Sequence, residues 1–366
     1  MEIQKDKILK VLREIRHPET KESIVDSGIV RDVSYREGAL WLSLQFSRPN
    51  DPFIQSIRKA CIRSINKTFG EDTLKETHVR VEVPETTQAP EVLPDVKNIV
   101  AIASGKGGVG KSTVAANLAV ALAQTGSRVG LIDADVYGPS IPKMFHVEMD
   151  RPAARSEAGR EWIIPVEKYG VKLLSIGLFV RPEDAVVWRG PMATSALKQL
   201  ISQGDWGSLD YLLIDLPPGT GDVHLTMVQE VPVTGVVIVT TPQDVALAAV
   251  IKGINMFEGE KIHVPVLGIV ENMAWFTPDE LPGNRYYIFG KEGGKKLAEK
   301  AGIALLGQVP IIQGIRESGD SGEPVALFPD KTAGKTFHRL AQSVKEAVEK
   351  RNAEKAPTRK VHIATR

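Results

Sequence analysis

NIVAIASGKGGVGKST, residues 98–113, passes from an unbroken apolar run into a glycine loop, then into a lysine followed by two hydroxyl residues. A run without polar alternation reads as a strand buried on both faces, the kind found in a parallel sheet covered by helices. The loop fits G-x-x-x-x-G-K-[ST] on Gly105, Gly110, Lys111 and Ser112, and a helix is predicted over 111–125. Strand, glycine loop and helix in that order make an anion site. Glycines let backbone N–H groups curl around phosphates, and the helix points its positive end at them. The reading assigns Gly105, Lys106, Gly107, Gly108, Val109, Gly110, Lys111, Ser112 and Thr113 to a cradle for nucleotide phosphates, with ATP as the expected ligand. Lys111 is expected at the β- and γ-phosphates, the Ser112 hydroxyl on Mg2+, and Thr113 near the α-phosphate. Lys106 is a second lysine in a loop whose pattern uses one.

Strands of the same kind recur downstream: RVGLID (128–133), VKLLSI (171–176), YLLIDL (211–216), GVVIVTT (235–241) and PVLGIV (265–270). Helical segments separate them, including one near 191–203, so the fold class is α/β with a doubly wound, mostly parallel sheet. Phe337, Leu340, Ala341, Val344 and Val348 share one face of a helix expected to dock on that sheet. Upstream, VPETTQAPEVLPDV (83–96) carries three prolines and reads as an extended linker. The expected organisation is a small α+β domain over 1–83, a Pro-rich linker over 84–96, a P-loop ATPase domain over 97–350 and a mobile basic tail over 351–366. Within the small domain, helices are predicted over 4–14 and 52–68. Strands are predicted on alternating Leu40, Leu42, Leu44 and Phe46, and on Val79, Val81 and Val83.

Composition narrows the function. The 366 residues are 42% hydrophobic and 25% charged, with a formal net charge of +1, which argues against a general nucleic-acid binder. No apolar run approaches the roughly 20 residues of a membrane span. The stretch MEIQKDKILKVLREI has no signal-peptide apolar block, so a cytoplasmic location is expected, without a membrane partner. The seven histidines are scattered with no H-x-x-x-H. The single cysteine, Cys61, excludes both a disulfide framework and a paired-cysteine zinc site within one chain.

Two more elements belong with the loop. In YLLIDLPPGTGD the apolar run delivers Asp215 to a strand's C-terminal end, where it is expected to hold the Mg2+ water shell. Gly219 in the following turn is expected to offer its amide to the γ-phosphate. In LIDADVYGPS (131–140), Asp133 and Asp135 end the neighbouring strand. Asp135, lying beyond it, is the better candidate to orient an attacking water.

Taken together, these residues resemble a known class. KGGVGKST (106–113) is similar to the "deviant" Walker A sequence of the MinD, ParA and nitrogenase-iron-protein class. That resemblance implies a homodimer in which Lys106 of one subunit reaches the phosphates held by the other. DADVYGPS (133–140), DLPPGTGD (215–222) and VENM (270–273) resemble the Mrp/ApbC branch, the iron–sulfur cluster carrier ATPases, over about residues 97–345. The resemblance implies a Mg2+-dependent ATPase that binds clusters and transfers them to apoproteins, with those clients or iron–sulfur assembly proteins as partners. It also implies that Asn272, taken to follow the late strand, reads adenine. HPETKESIVDSGIV (17–30) resembles the small iron–sulfur assembly domain often fused to these ATPases. The chain departs from the branch where ENM is normally followed by an aromatic residue and C-x-x-C: it reads ENMAWFTPDELPGNRYYIFG (271–290). The small domain's cysteine is also missing from FSRPNDPF (46–53). Asp279 and Glu280 stand in the vacated region as hard oxygen donors, poorly matched to a sulfide cluster. Cys61, in KACIRSIN, reads as a buried structural thiol, so the cluster ligands stay unassigned. The alternative is a cargo-free nucleotide switch or scaffold that binds partner proteins, as partitioning ATPases do.

Overall fold

The computed structural model describes all residues except 1–3, 37–38, 47–50, 52, 83–92, 158, 181–189, 260–261, 279, 282, 359 and 362–366. Two compact units divide the chain, Met1–Glu91 and Val92–Arg366. Most of the expected linker, and Asp279, lie outside the described residues.

The first unit runs α1 (Lys5–Leu12), β1 (Val30–Arg36), β2 (Ala39–Gln45), α2 (Ile54–Phe69) and β3 (Val79–Glu82). Its sheet has the order β1-β2-β3, with β1 antiparallel and β3 parallel to β2. Leu40, Leu42 and Leu44 alternate inward from β2 onto Ile8 and Leu12 of α1 and Ile57, Cys61 and Ile65 of α2. Strand β1, VRDVSYR, was not expected, because its charges interrupt the apolar alternation.

The second unit continues with β4 (Val96–Ala103), α3 (Lys111–Gln124), β5 (Val129–Asp133), α4 (Ile141–Met144), β6 (Ala153–Glu157), β7 (Arg160–Ile164), β8 (Val166–Lys168) and β9 (Val171–Ser175). After these come α5 (Gly190–Gln203), β10 (Leu209–Asp215), α6 (Asp222–Glu230), β11 (Gly235–Thr240), α7 (Asp244–Glu258) and β12 (Val266–Phe276). The chain closes with α8 (Gly293–Ala301), β13 (Leu305–Ile311), α9 (Gln313–Ser321) and α10 (Thr332–Glu354). The eight-stranded sheet has the order β13-β12-β11-β4-β10-β5-β9-β8, parallel except for β8, while β6 and β7 pair as a separate hairpin. Along β4, Val100 and Ile102 pack with α3 and α10, and Ile99, Ala101 and Ala103 pack with α5, α6 and α7 on the opposite face. Burial on both faces explains why the strand shows no polar alternation. From β4 the chain steps past one strand position to β5, later fills that position with β10, and then crosses to β11. The loop after β4 therefore opens at a reversal of strand order, where α/β sheets bind ligands.

Two expectations need correction. The late strand does not stop at Val270: β12 continues to Phe276 and contains Asn272. Glu271 and Asn272 break the apolar run, yet both are buried with partners. Glu271 accepts from the amides of Gly294 and Lys295 at the start of α8 and from Gln308 Nε2, and Asn272 bonds the phosphate loop. The described part of the tail is not loose either. Arg351, buried in the last turn of α10, donates to the Ala356 carbonyl, and Val361 N donates to the Val228 carbonyl at 3.0 Å. Val361 also packs on the core beneath α6. Among the described residues no helix is long and apolar enough to cross a membrane.

Candidate functional site

The glycine loop joins β4 to α3, and its glycines answer to crowding as well as to dihedral angles. Gly110 sits at φ +80°, and a Cβ there would lie 2.2 Å from Asn272 Nδ2. A Cβ on Gly105 would lie 2.5 Å from the carbonyl carbon of Ala249 in α7. Loop residues 106–113, with Ser104, Asp135, Met144 and Pro218, line a cavity of about 220 Å3 at the start of α3.

Two lysines face this cavity in opposite conditions. Lys111 is 6% exposed, and its Nζ donates to Asp215 Oδ1 at 2.6 Å and to Ser112 Oγ at 3.2 Å. Lys106 is exposed and makes no hydrogen bond or ion pair among the described residues. The two strand-end carboxylates are register partners across β10 and β5. Asp215 is fully buried, and its Oδ2 has no hydrogen-bond partner. Asp133 is also fully buried but saturated: it accepts from Asp135 N at 3.2 Å, Ile141 N at 3.3 Å and Ser175 Oγ at 3.0 Å. Burial, then the neighbouring Asp215 charge, pushes the Asp133 carboxyl up to about 7. Burial also raises Asp215, opposed by Lys111. Asp133 thus clamps the 134–141 loop, while Asp135, half-buried, keeps its carboxylate on the cavity.

A hard cation suits this donor set. Mg2+ takes one or two carboxylate or hydroxyl oxygens and fills its octahedron with phosphate and water. The unpartnered Asp215 Oδ2 and the Ser112 hydroxyl meet that requirement. Gly219 does not play its expected part: its amide donates to the Ser104 carbonyl at 2.9 Å, tying the PPGTG turn to the loop instead of facing the cavity.

A second cavity, of about 660 Å3, adjoins the first and shares Gly110, Thr113 and Met144 with it. Its wall is mainly apolar, from Met273, Ile288, Phe289, Pro310, Ile311, Ile312 and Ile315, with Asn272 among them. The Asn272 Nδ2 donates to the Val109 carbonyl at 2.9 Å, which fixes the amide and leaves Oδ1 as an acceptor. Met273, at φ 56°, stands where the β12–β13 register shifts, so strand and loop meet at a bulge. Gly110, Thr113 and Asn272 of this lining were assigned to the site from the sequence; the apolar residues of the wall were not, because they come from separate segments and carry no site motif of their own.

For a metal–sulfur cargo the described residues offer little. Cys61 is buried in α2, and burial pushes its thiol up to about 12. Glu280 is exposed, and no group of three or more His, Cys, Asp or Glu residues that could hold a metal ion occurs among the described residues.

Comparison with known proteins connects both units to iron–sulfur chemistry. Residues 95–345 match the family of the NUBPL iron-transfer P-loop NTPases, and residues 5–75 match that of the iron–sulfur cluster assembly proteins. The iron–sulfur cluster carrier protein of Synechocystis sp. is 42% identical over 342 residues, covering 93% of this chain and 96% of that one. The carrier protein of Aquifex aeolicus is 49% identical over 358 residues, covering 90% and 96%. The iron–sulfur cluster transfer protein NUBPL of Dictyostelium discoideum is 47% identical over 267 residues, covering 73% and 80%. Among solved structures, a nucleotide-binding protein from Archaeoglobus fulgidus in complex with ADP is 40% identical with a TM-score of 0.56, covering 65% of this chain and 92% of that one.

Proposed function

The chain belongs to the NUBPL iron-transfer P-loop NTPase family, and from that premise we propose that it is an ATP-hydrolysing carrier that binds iron–sulfur clusters and passes them to apoproteins in the cytoplasm. The observation that carries the reading is the pairing of a complete phosphate loop with relatives that are iron–sulfur carriers along nearly their whole length. The phosphates lie in the cradle of 105–113, with Lys111 on the β- and γ-phosphates. Ser112 and Asp215 hold Mg2+, which when bound neutralises charge on the phosphate oxygens. Asp135 accepts a hydrogen bond from a water and aims its oxygen at the γ-phosphorus. The bond to the β-phosphate oxygen breaks, giving ADP and inorganic phosphate. Positioning and electrostatic stabilisation are most of what this chemistry asks of a protein. The test is to load the chain anaerobically with iron and sulfide, add an apoprotein acceptor, and follow the acceptor's circular dichroism with and without MgATP. No transfer under either condition would sink the carrier reading.

The base is proposed to lie in the apolar cavity, with Asn272 Oδ1 accepting from the adenine amino group. Guanine presents an acceptor at that position and is rejected. Asn272→Ala should weaken ATP binding by roughly 10–100-fold, the ~1–3 kcal/mol cost of leaving a buried partner unpaired, and should narrow the preference for ATP over GTP. Calorimetric titration with both nucleotides checks this. An unchanged ATP-to-GTP ratio would remove Asn272 from base recognition.

The cargo needs ligands that this chain is short of. Clusters are normally held by four cysteine thiolates, and a homodimer would supply two buried copies of Cys61. A cluster on the isolated protein is therefore expected to be labile and completed by external thiols. Cys61→Ser should leave ATP hydrolysis intact and cost the small unit ~1–3 kcal/mol for a hydroxyl placed in an apolar core. Iron counts after anaerobic desalting, with and without glutathione, test the ligand argument. A stable stoichiometric cluster in Cys61→Ser without added thiol would show that other ligands exist.

A further inference from the structure

The helix that follows the PPGTG turn carries a buried polar group that the phosphate site does not use. His224 stands in the first turn of α6, 1% exposed, with its ring centre 6.2 Å from that of Phe257 in α7. Neither ring nitrogen has a hydrogen-bond partner among the described residues. Burial, aided by the Lys111 ammonium, pushes the imidazole down to about 4. Near neutral pH the ring is therefore uncharged, with one N–H to give and one lone pair to fill. The Gly221 carbonyl, just before α6, lies near enough to favour the charged ring but makes no hydrogen bond with it. We propose that His224 is a positioning residue: its ring N–H closes on the Gly221 carbonyl when nucleotide fills the phosphate cavity, and so fixes the turn against the phosphates. The inference rests on the nucleotide reading above and concerns the residue that sets the turn.

The turn is joined to the phosphate loop at two residues. The Gly219 amide donates to the Ser104 carbonyl at 2.9 Å, and Pro218 lines the phosphate cavity beside residues 106–113. A ligand in the cradle therefore meets the turn directly. Gly221, three residues past Pro218, is the N-cap of α6, and no side-chain hydrogen bond caps that end of the helix. Its carbonyl accepts from the His224 backbone amide at 3.0 Å, which leaves one lone pair for the ring. A small rotation of this peptide completes the second bond. A buried imidazole without a partner is costly, so the resting fold carries that cost and the closed turn sheds it. A side chain biases a conformational equilibrium only by interactions that differ between its two states. Here the difference is the N–H bond itself. A ring that served the fold alone would be bonded at rest, and its loss would destabilise the protein.

The experiment compares two variants of the full chain. His224→Met fills a similar volume without a donor, whereas the His224→Gln amide can still give an N–H to a carbonyl. Without nucleotide, His224→Met should melt above wild type by roughly 2–8 °C, because the cost of the unbonded ring is gone. Its phosphate release should fall roughly 10–100-fold, the effect of one lost buried hydrogen bond. MgADP binding, measured by calorimetry, should stay at the wild-type value, since the cradle of 105–113 is untouched. His224→Gln should recover most of the turnover. Amide hydrogen exchange of the wild-type chain supplies an arm that needs no variant: MgATP should slow exchange over 218–225. A lower melting temperature in His224→Met overturns the proposal, because the ring is then bonded at rest. So does unchanged turnover in that variant, a His224→Gln variant equally slow, or exchange over 218–225 that ignores MgATP. Absence of MgADP binding to the wild type overturns the nucleotide reading instead. Should His224→Met not fold, the exchange arm and His224→Leu decide.

Discussion

Lys111→Ala is expected to lose ATP binding or turnover by roughly 100-fold or more, the usual effect of deleting one positioned electrostatic contact from such a site. The lysine begins α3 at the end of the glycine loop and is the buried cation of the phosphate cavity. An alanine leaves the backbone cradle but nothing to balance the phosphates' charge. The same change strands Asp215, and losing one partner of a buried pair ordinarily destabilises by about 3–5 kcal/mol. Part of that is recoverable, because burial already raises the Asp215 carboxyl and it takes up a proton instead. A carboxyl raised in the folded state binds its proton more tightly there than in the unfolded chain. The variant's deficit should therefore grow as pH rises above the ordinary carboxylate value of about 3.9. Thermal melts of variant and wild type should lie closer together at pH 5 than at pH 8. ATP titration and phosphate release measure the functional loss, and unchanged activity would end the assignment of this loop.

How much of this was open to reading from sequence depended on whether a feature was local. The six doubly buried strands declare themselves by unbroken apolar runs, and the phosphate loop by glycines at fixed spacing. The edges of the sheet hid themselves. Strand β13, LLGQVPI, carries Gly307, Gln308 and Pro310 and looks like a loop. Proline is tolerated there because β13 is an edge, with one neighbour to bond. The end of β12 was misplaced for a related reason. Glu271 and Asn272 look like the polar start of a turn, but their partners lie 23 and 163 positions away in the chain.

Site residues divide in the same way. Lys111 and Asp215 were each legible from their own motifs, yet nothing in a linear text brings positions 104 residues apart into a contact of 2.6 Å. That contact turns two recognised residues into a coupled pair. Asp133 and Asp135 were both candidates in sequence, with Asp135 preferred because it lies beyond the strand end. Folding separates them: three hydrogen bonds and full burial consume Asp133, while Asp135 remains on the cavity. The apolar cavity was least legible. Its wall is gathered from five segments of the chain, and apolar residues carry no mark of which surface they will line.

The last expectation concerns the exposed lysine. Lys106 faces the phosphate cavity with no partner among the described residues, whereas Lys111 is buried and paired. A solvated ammonium contributes little to a charge beside it; the same ammonium enclosed by a second subunit contributes far more, because water no longer screens it. Lys106 is therefore proposed to act across a homodimer, on the γ-phosphate held by the partner. Lys106→Ala should keep nucleotide binding close to wild type and lose hydrolysis by roughly 1,000-fold or more, the range of supplied cations in phosphoryl transfer. Mixing separates action in trans from action in cis. A heterodimer of Lys106→Ala with Lys111→Ala holds one complete site, in which Lys111 comes from the first chain and Lys106 from the second. Random pairing should restore about a quarter of wild-type turnover, since half the dimers would carry one intact site of two. If Lys106 acted within its own chain, each site of the mixture would lack one lysine and no activity would return. Silence from a mixture in which heterodimers are demonstrated by mass would therefore move Lys106 back to the surface of its own subunit.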